Sequence, residues 1–140
     1  MKNKPTEEQS ALSYWLDKAG AAAVLLGPAE TAGQLAISGN YTGPSQLYPG
    51  MGVLTAGLGA WNAAKYVDEH NTGRKRSPLV HTGRAIEIAG AATTEGLLIN
   101  GEGNIFRIYA PMAIGIPIGA LLEYVAGPVH ERFSNKYRTQ

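Results

Sequence analysis

Apolar residues along this chain are grouped into four long segments, separated by short polar or glycine-rich stretches. The first segment covers about residues 6–37, and the others cover about 49–69, 78–99 and 105–126. No alternation of apolar and polar residues with a period of two persists in any of them, which argues against strands. The pattern therefore predicts an all-α protein of four main Ala/Gly-rich helices in a single domain over residues 1–140, with a short polar tail over 127–140.

Local signals mark the expected helix ends. Thr6-Glu7-Glu8-Gln9 matches a capping box at the start of the first helix, and Pro28 is expected to kink that helix because it removes a backbone donor. Ser77-Pro78 supplies an N-cap and a proline at the first position of the third helix. Asn100-Gly101 and Gly127-Pro128 are turn-forming pairs that predict the ends of the third and fourth helices.

An internal repeat relates the two halves of the chain. The pattern Gly-x-Ala-x-Thr-x-Gly-x-Leu begins at Gly27 and again at Gly90, 63 positions later, and a Tyr-Val pair at Tyr66 recurs at Tyr124, 58 positions later. A duplication would give two helical hairpins in the same orientation. Because small, common residues carry most of the match, chance similarity is the alternative.

Composition narrows the classes of function. The chain has 20 Ala and 18 Gly, and charged residues make up 16%, against roughly 25% in typical soluble domains. A formal charge of +1 gives no overall attraction to nucleic acid, and no specific nucleic-acid binding is predicted. The absence of Cys excludes disulfides, thiolate metal sites and cysteine nucleophiles.

The placement of basic residues favours a multi-pass membrane protein. They concentrate on the flanks and loops that would lie on one side of a bilayer, which is the distribution of the positive-inside rule, with both termini cytoplasmic. Spacings of small residues also suit close helix packing in lipid. The basic residues in question are Lys2, Lys4, Lys65, Arg74, Lys75, Arg76, Arg132, Lys136 and Arg138, and the candidates for helix packing are Ala56, Ala60, Ala64, Gly115 and Gly119.

Hydropathy argues in the opposite direction. The mean hydropathy of the chain is −0.12, and only the fourth segment approaches the roughly 20 apolar residues of a full span. The third segment contains Arg84, Glu87 and Glu95, each of which is costly at the centre of a bilayer. The alternative is therefore a soluble protein in which these residues form the solvated face of an amphipathic helix.

Glu30, Glu87, Glu95 and Arg84 are the candidate functional residues, because an ionisable group inside a membrane segment commonly lines a pore or carries a proton. Arg84 precedes Glu87 by three residues, so the two could form an intrahelical pair. Glu30 and Glu95 have no cationic neighbour along their helices. Their similar places in the two repeats could bring them together. The bland alternative is that all three carboxylates are exposed to solvent.

Other chemistry finds little support. The three histidines, His70, His81 and His130, have no spacing typical of metal ligands, and no nucleophile-elbow motif surrounds any serine. No metal or cofactor is therefore predicted. The triplet Arg74–Arg76 could touch the phosphates of lipid or nucleic acid, although a solvated loop is the simpler interpretation.

These observations predict a small non-enzymatic helical membrane protein, acting as a structural or pore-lining subunit of a homo-oligomeric or larger assembly in a lipid bilayer. The alternative is a soluble helical or virion-associated structural subunit, including one that inserts into a membrane during delivery. A third hypothesis, an enzyme acting on a lipid or quinone within the bilayer, would need cofactor or metal ligands that the sequence does not show.

Overall fold

A computed structural model of the chain describes residues 11–40 and 42–134. These residues form helices and connecting loops and include no strand, which confirms the all-α prediction. The helices are α1 (Ala11–Ser38), α2 (Tyr48–Thr72), α3 (Pro78–Ile99), α4 (Ile105–Leu121) and α5 (Gly127–Phe133), with a 3-10 turn over Pro44–Gln46 and one π-helical turn over Leu122–Ala126.

The cap signals locate α3 correctly. The Ser77 hydroxyl accepts a hydrogen bond from the Leu79 N–H at 3.2 Å, and Pro78 occupies the first helical position. By contrast, α2 runs to Thr72, three residues beyond the predicted end, and stops at Gly73, whose φ of 65° is left-handed. The predicted capping box at Thr6 lies outside the described residues. Pro28 lies inside α1, and the α-helix is continuous through it.

The sequence predicts that the fourth helix ends at Gly127-Pro128, but the helical path continues past this pair. The N–H of Gly127 donates to the carbonyl of Leu122, five residues earlier, and α5 continues the helical path to Phe133. The missing N–H of Pro128 falls in the first turn of α5, where a proline is tolerated. Residues 127–133 of the predicted polar tail are therefore helical, and residues 135–140 lie outside the described part.

The four long helices pack in chain order, as two hairpins joined through α2 and α3. Within the described residues, α1 packs on α2, α2 on α3, and α3 on α4, whereas α1 and α4 make no backbone approach to each other. Because α1 and α4 are the outer helices of the row, each leaves much of its surface uncovered. The apolar core lies along α2 and consists of Leu47, Met51, Leu54, Leu58, Ala91, Leu98 and Ile108.

Glycines spaced seven residues apart bring the backbones of α1 and α2 together. A Cβ built on Gly20 would lie 2.5 Å from the backbone nitrogen of Trp61, and one on Gly27 would lie 2.5 Å from the Gly50 carbonyl oxygen. Real Cβ atoms do not approach so closely, so these positions require glycine. The predicted repeat begins at Gly27, one of these contact positions.

The α3–α4 hairpin is built in the same way. A Cβ on Gly83 would lie 2.5 Å from the Gly119 carbonyl oxygen, and one on Gly90 would lie 2.8 Å from that of Pro111. Gly83 and Gly90 follow Gly20 and Gly27 by 63 positions, so the repeated pattern coincides with the contact glycines of both hairpins. The predicted packing residues Gly115 and Gly119 are buried in this interface.

The alanine series on α2 does not share one environment. Ala56 is exposed, Ala60 is half-buried and Ala64 is buried. A step of four residues turns a helix by about 40° beyond a full rotation, so the series drifts from the surface into the interior. Gly50 and Gly57 lie against α1, because a Cβ on Gly50 would lie 2.5 Å from the Gly27 carbonyl oxygen and one on Gly57 would lie 2.7 Å from the Ala23 Cβ.

Candidate functional site

A network of buried ion pairs joins the C-terminal half of α2, the start of α3 and the π turn. Arg84, on α3, is at its centre and is 6% exposed. Its guanidinium donates to both carboxylate oxygens of Glu69 at 2.6 and 2.9 Å, and to Glu123 at 2.9 Å. The intrahelical Arg84–Glu87 pair suggested by the sequence is thus replaced by contacts with two other elements.

Lys65, on α2, is the second cation that contacts Glu123. Its ammonium group lies 3.0 and 3.1 Å from the two oxygens of Glu123 and donates to the Tyr124 hydroxyl at 2.7 Å. The same group lies 4.7 Å from the centre of the Trp61 ring and 5.0 Å from that of Tyr124. Lys65 is therefore held by a carboxylate, a phenol and two aromatic faces.

Arg76 extends the network to α5. It donates to Glu69 at 3.1 Å and to Glu131 at 3.0 Å, and the other oxygen of Glu131 accepts from the Ser77 N–H at 2.8 Å. The Ser77 hydroxyl also lies 3.0 Å from a ring nitrogen of His130. The start of α3 is thereby fastened to the helix that follows the π turn.

Glu87 is the remaining carboxyl group of this region. It is 6% exposed and lies beside the side chain of Asn62, whose amide group donates to the Leu58 carbonyl at 2.9 Å. The cations Lys65, Arg76 and Arg84 are already matched by the carboxylates Glu69, Glu123 and Glu131. Glu87 is therefore a fourth acid for which the network provides no fourth cation.

The surroundings of Glu69 decide its ionisation. Burial by itself would raise the pKa of this carboxyl, but hydrogen bonds from Arg84 and the charges of Arg84 and Arg76 outweigh burial. The net result is a pKa below the ordinary value of 4.5. Glu69 thus holds its negative charge in the folded protein, as a partner of two guanidinium groups should.

Glu30 and Glu95 lie near the other end of the long helices, away from the ion pairs and against the first turns of α2. A Cβ on Gly50 would lie 3.0 Å from Glu30 Oε2, and a Cβ on Gly52 would lie 3.3 Å from Glu95 Oε1. A step of two residues, from Gly50 to Gly52, turns the direction of the side chain by about 200° around the helix. The two carboxylates therefore approach α2 from opposite sides and are not brought together. Gln34 donates to Glu30 Oε1 at 3.3 Å, while Glu30 Oε2 is buried without a hydrogen bond from any described residue.

Sequence reasoning singled out Arg84 and Glu87 but missed the partners of Arg84. One signal was present: Lys65 and Glu123 each immediately precede a Tyr-Val pair of the repeat. These two residues of opposite charge form the salt bridge between α2 and the π turn. As for metals, the described residues contain no group of three or more His, Asp or Glu arranged to hold an ion.

Within the described residues, one helical stretch is long and apolar enough to cross a membrane. It covers Ile105–Phe133, which is α4, the π turn and α5, and 17% of its apolar window is buried by the rest of the chain. No family model matches this chain, and neither does any curated protein or solved structure.

Proposed function

We propose that this chain is a non-enzymatic, membrane-embedded helical subunit of a homo-oligomeric or larger assembly. The observation that carries the proposal is the distribution of side chains. Among the described residues, 18 large hydrophobic side chains are exposed and nine hydrophobic residues are buried, while Arg84, Glu87 and Glu123 are at most 6% exposed. Large exposed apolar patches indicate contact with lipid or with another protein.

The outer face of α4 and its continuation supports lipid contact most directly. Ile114, Ile118, Leu121, Val125 and Val129 follow one another at spacings of four, three, four and four, so they lie on one helix face, and all are exposed. Exposed Leu12, Trp15, Leu25, Leu26 and Ile37 make α1 similarly apolar on the other side of the row.

Charge is segregated along the helices in a way that suits a bilayer. On α2 no charged residue occurs from Leu47 to Ala64, and Lys65 and Glu69 lie beyond this belt. Of the Lys and Arg in the described residues, Arg107 alone belongs to the end that carries the α1–α2 and α3–α4 loops. The proposed orientation is multi-pass, with the α2–α3 loop and both termini cytoplasmic.

A pore-lining role is proposed for Glu30 and Glu95, because both are half-buried and lie at the end with few cations. Glu87 is enclosed between α2, α3 and the π turn, so it would face a pore only after the helices separated. Since α2 lies between Glu30 and Glu95, a pore lined by both would combine them from different subunits.

Membrane fractionation with an alkaline carbonate wash tests insertion. We expect the protein to remain in the washed pellet and to leave it as a discrete oligomer in detergent. Because the chain has no Cys, single cysteines then report topology without background labelling. In intact cells an impermeant maleimide should label Ser38→Cys and Asn100→Cys, while Asn71→Cys should react only after lysis.

The second candidate function is a soluble or virion-associated structural subunit, in which the apolar faces of α1 and α4 pack against other copies. The mean hydropathy of −0.12 favours it, and so does the finding that only one helical stretch among the described residues is long and apolar enough for a span. A discrete oligomer in the carbonate supernatant would select this candidate and refute membrane embedding. Equal labelling of all three cysteines in intact cells would refute the proposed orientation.

Single-channel recording of the reconstituted protein tests the pore. Replacing Glu30 and Glu95 together by Gln should change cation conductance, whereas Glu102→Gln, in the α3–α4 loop of the same end, is the control for a general loss of surface charge. An unchanged conductance in the Glu30/Glu95 variant, or an equal change in the control, would remove the carboxylates from a pore.

A further inference from the structure

A cavity of about 450 Å³ opens beside the α2–α3 loop. Its lining is basic and aromatic: the last turns of α2 contribute Tyr66 and His70, the loop contributes Arg74 and Lys75, and the first turn of α3 contributes His81. The rings of Tyr66 and His81 meet edge-on, with centres 6.4 Å apart. The cavity is open to solvent, and its walls come from three parts of the chain.

The acid in this pocket does not neutralise its basic groups. Glu69 also lines the cavity, but both its oxygens already accept from Arg84, and one also accepts from Arg76. Arg76 is in turn shared with Glu131. Arg74, by contrast, is exposed, so the pocket presents net positive charge after the internal ion pairs are counted.

The donors of the pocket match one class of ligand. A guanidinium offers up to five N–H groups in a planar fork, an ammonium offers three, and each neutral imidazole offers one. Phosphate oxygens are the acceptors that Arg and Lys bind with charge-assisted hydrogen bonds. Carboxylates are smaller and present two oxygens, which would leave part of such a donor set unused.

We propose that this pocket binds a phosphate group, supplied either by the headgroup of an anionic lipid or by a free phosphate. In the proposed membrane orientation the pocket lies on the basic, cytoplasmic side, where anionic lipids attract Lys and Arg. The site goes beyond the proposed function and does not depend on it, because the same donors would bind free phosphate if the chain were soluble.

The test titrates the full-length protein in a non-ionic detergent and follows the three histidine rings by NMR. The probes are inorganic phosphate, dihexanoyl-phosphatidylglycerol and, as the control without a phosphate group, dihexanoylglycerol. His70 and His81 should shift with a saturable dependence on the probe, while His130, which does not line the pocket, serves as the reference. The variant is Arg74→Gln/Lys75→Gln, which leaves Arg76 and its carboxylate partners Glu69 and Glu131 in place.

The matched control is Arg107→Gln/Arg132→Gln, which removes two exposed positive charges away from the pocket. Losing two charge-assisted contacts should weaken binding about tenfold or more in the pocket variant, against less than about twofold in the control. Saturation by inorganic phosphate and by the anionic lipid identifies the phosphate itself as the ligand. Saturation by the anionic lipid alone identifies the headgroup as the source.

Three results would overturn the site: no saturable shift with either anionic probe, an equal response to the phosphate-free dihexanoylglycerol, or equal weakening by the two double variants. The last result would mean that diffuse surface charge, and not the pocket, attracts the anion. Failure of membrane insertion is detected separately, in the carbonate wash, and a soluble protein that still binds phosphate at His70 and His81 would retain this site.

Discussion

Lys65 and Glu123, 58 residues apart, form a salt bridge in which the ammonium group lies 3.0 and 3.1 Å from the two carboxylate oxygens. The Glu123 side chain is 2% exposed and also accepts from Arg84. One carboxylate therefore joins α2 and α3 to the π turn. The π turn contributes to this arrangement, because Glu123 is one of its five residues.

Replacement of Glu123 and Glu87 by Gln should have different effects on stability. Glu123→Gln leaves Lys65 and Arg84 without their shared carboxylate, and breaking a buried pair from one side costs about 3–5 kcal/mol. Glu87→Gln removes the acid that has no matching cation, and its new amide can donate to Asn62 Oδ1, which is buried without a hydrogen bond from any described residue. This change should cost less than about 1 kcal/mol or increase stability.

Denaturant titration of the detergent-solubilised variants, followed by circular dichroism, measures both free energies of unfolding. The two substitutions are chemically identical and both sites are almost fully buried, so each is the control for the other. Equal losses would show that the charge balance around Arg84 does not govern stability at this end of the molecule.

Glycine-to-alanine substitutions within a single helix should have opposite effects on stability. A glycine packed against the neighbouring helix has no space for a methyl group, whereas a glycine on an uncovered face has. On α1, Gly27→Ala places a Cβ 2.5 Å from the Gly50 carbonyl oxygen, whereas a Cβ on Gly33 would meet no atom of the described residues within 4 Å beyond its own helical turn. We expect Gly27→Ala to destabilise by about 1–3 kcal/mol through overpacking. Gly33→Ala should stabilise by about 0.5–1 kcal/mol because alanine favours the helix.

The second hairpin repeats this comparison with Gly83 and Gly96, both on α3. The Cβ added by Gly83→Ala would lie 2.5 Å from the Gly119 carbonyl oxygen, whereas a Cβ on Gly96 would have open space around it among the described residues. Thermal unfolding of the four variants measures the differences. Loss of stability at Gly33 and Gly96 equal to that at Gly27 and Gly83 would contradict the close helix contacts.

The parts of this fold that depend on neighbours along the chain could be predicted from sequence. Ser77-Pro78 and Asn100-Gly101 act locally, and they give the two ends of α3 correctly. The prediction that Gly127-Pro128 ends the helix was wrong because of the π turn before this pair. The π turn shifts the backbone hydrogen bonds by one residue, so that the helix continues into α5.

The partners of Arg84 were beyond the reach of local reasoning for a similar reason. Glu87 is its neighbour along the helix, but Glu69 and Glu123 are 15 and 39 residues away and reach it only after α2 and the π turn pack against α3. The places of Glu30 and Glu95 depend likewise on α2 coming between them. Helix positions follow from sequence periodicity here, whereas charge partners follow from the packing of the helices on one another.

Two N-cap residues should differ in how much they contribute. Asn104 caps α4 at the surface and accepts from two backbone N–H groups at 3.0 and 3.3 Å, so Asn104→Ala should cost about 1 kcal/mol. Ser77 is completely buried, caps α3 and contacts the His130 ring. Ser77→Ala should therefore cost about 2 kcal/mol or more. Thermal unfolding of the two variants compares them, and a smaller loss for Ser77→Ala would refute a structural role for the α3–α5 contact.

Acid should weaken the ion-pair network through Glu69. The pKa of this carboxyl is lower in the folded protein than its ordinary 4.5, so the folded state binds the proton less readily than the unfolded chain does. The resulting stabilisation is fully present above pH 4.5 and is lost as the pH falls through the lower, folded-state pKa. Glu69→Gln should lower stability at pH 7 and reduce its dependence on pH in this acidic range. Unfolding free energies of the wild type and the variant, measured from pH 7 down to about pH 3, give both slopes, and parallel curves would assign the acid sensitivity to other carboxylates.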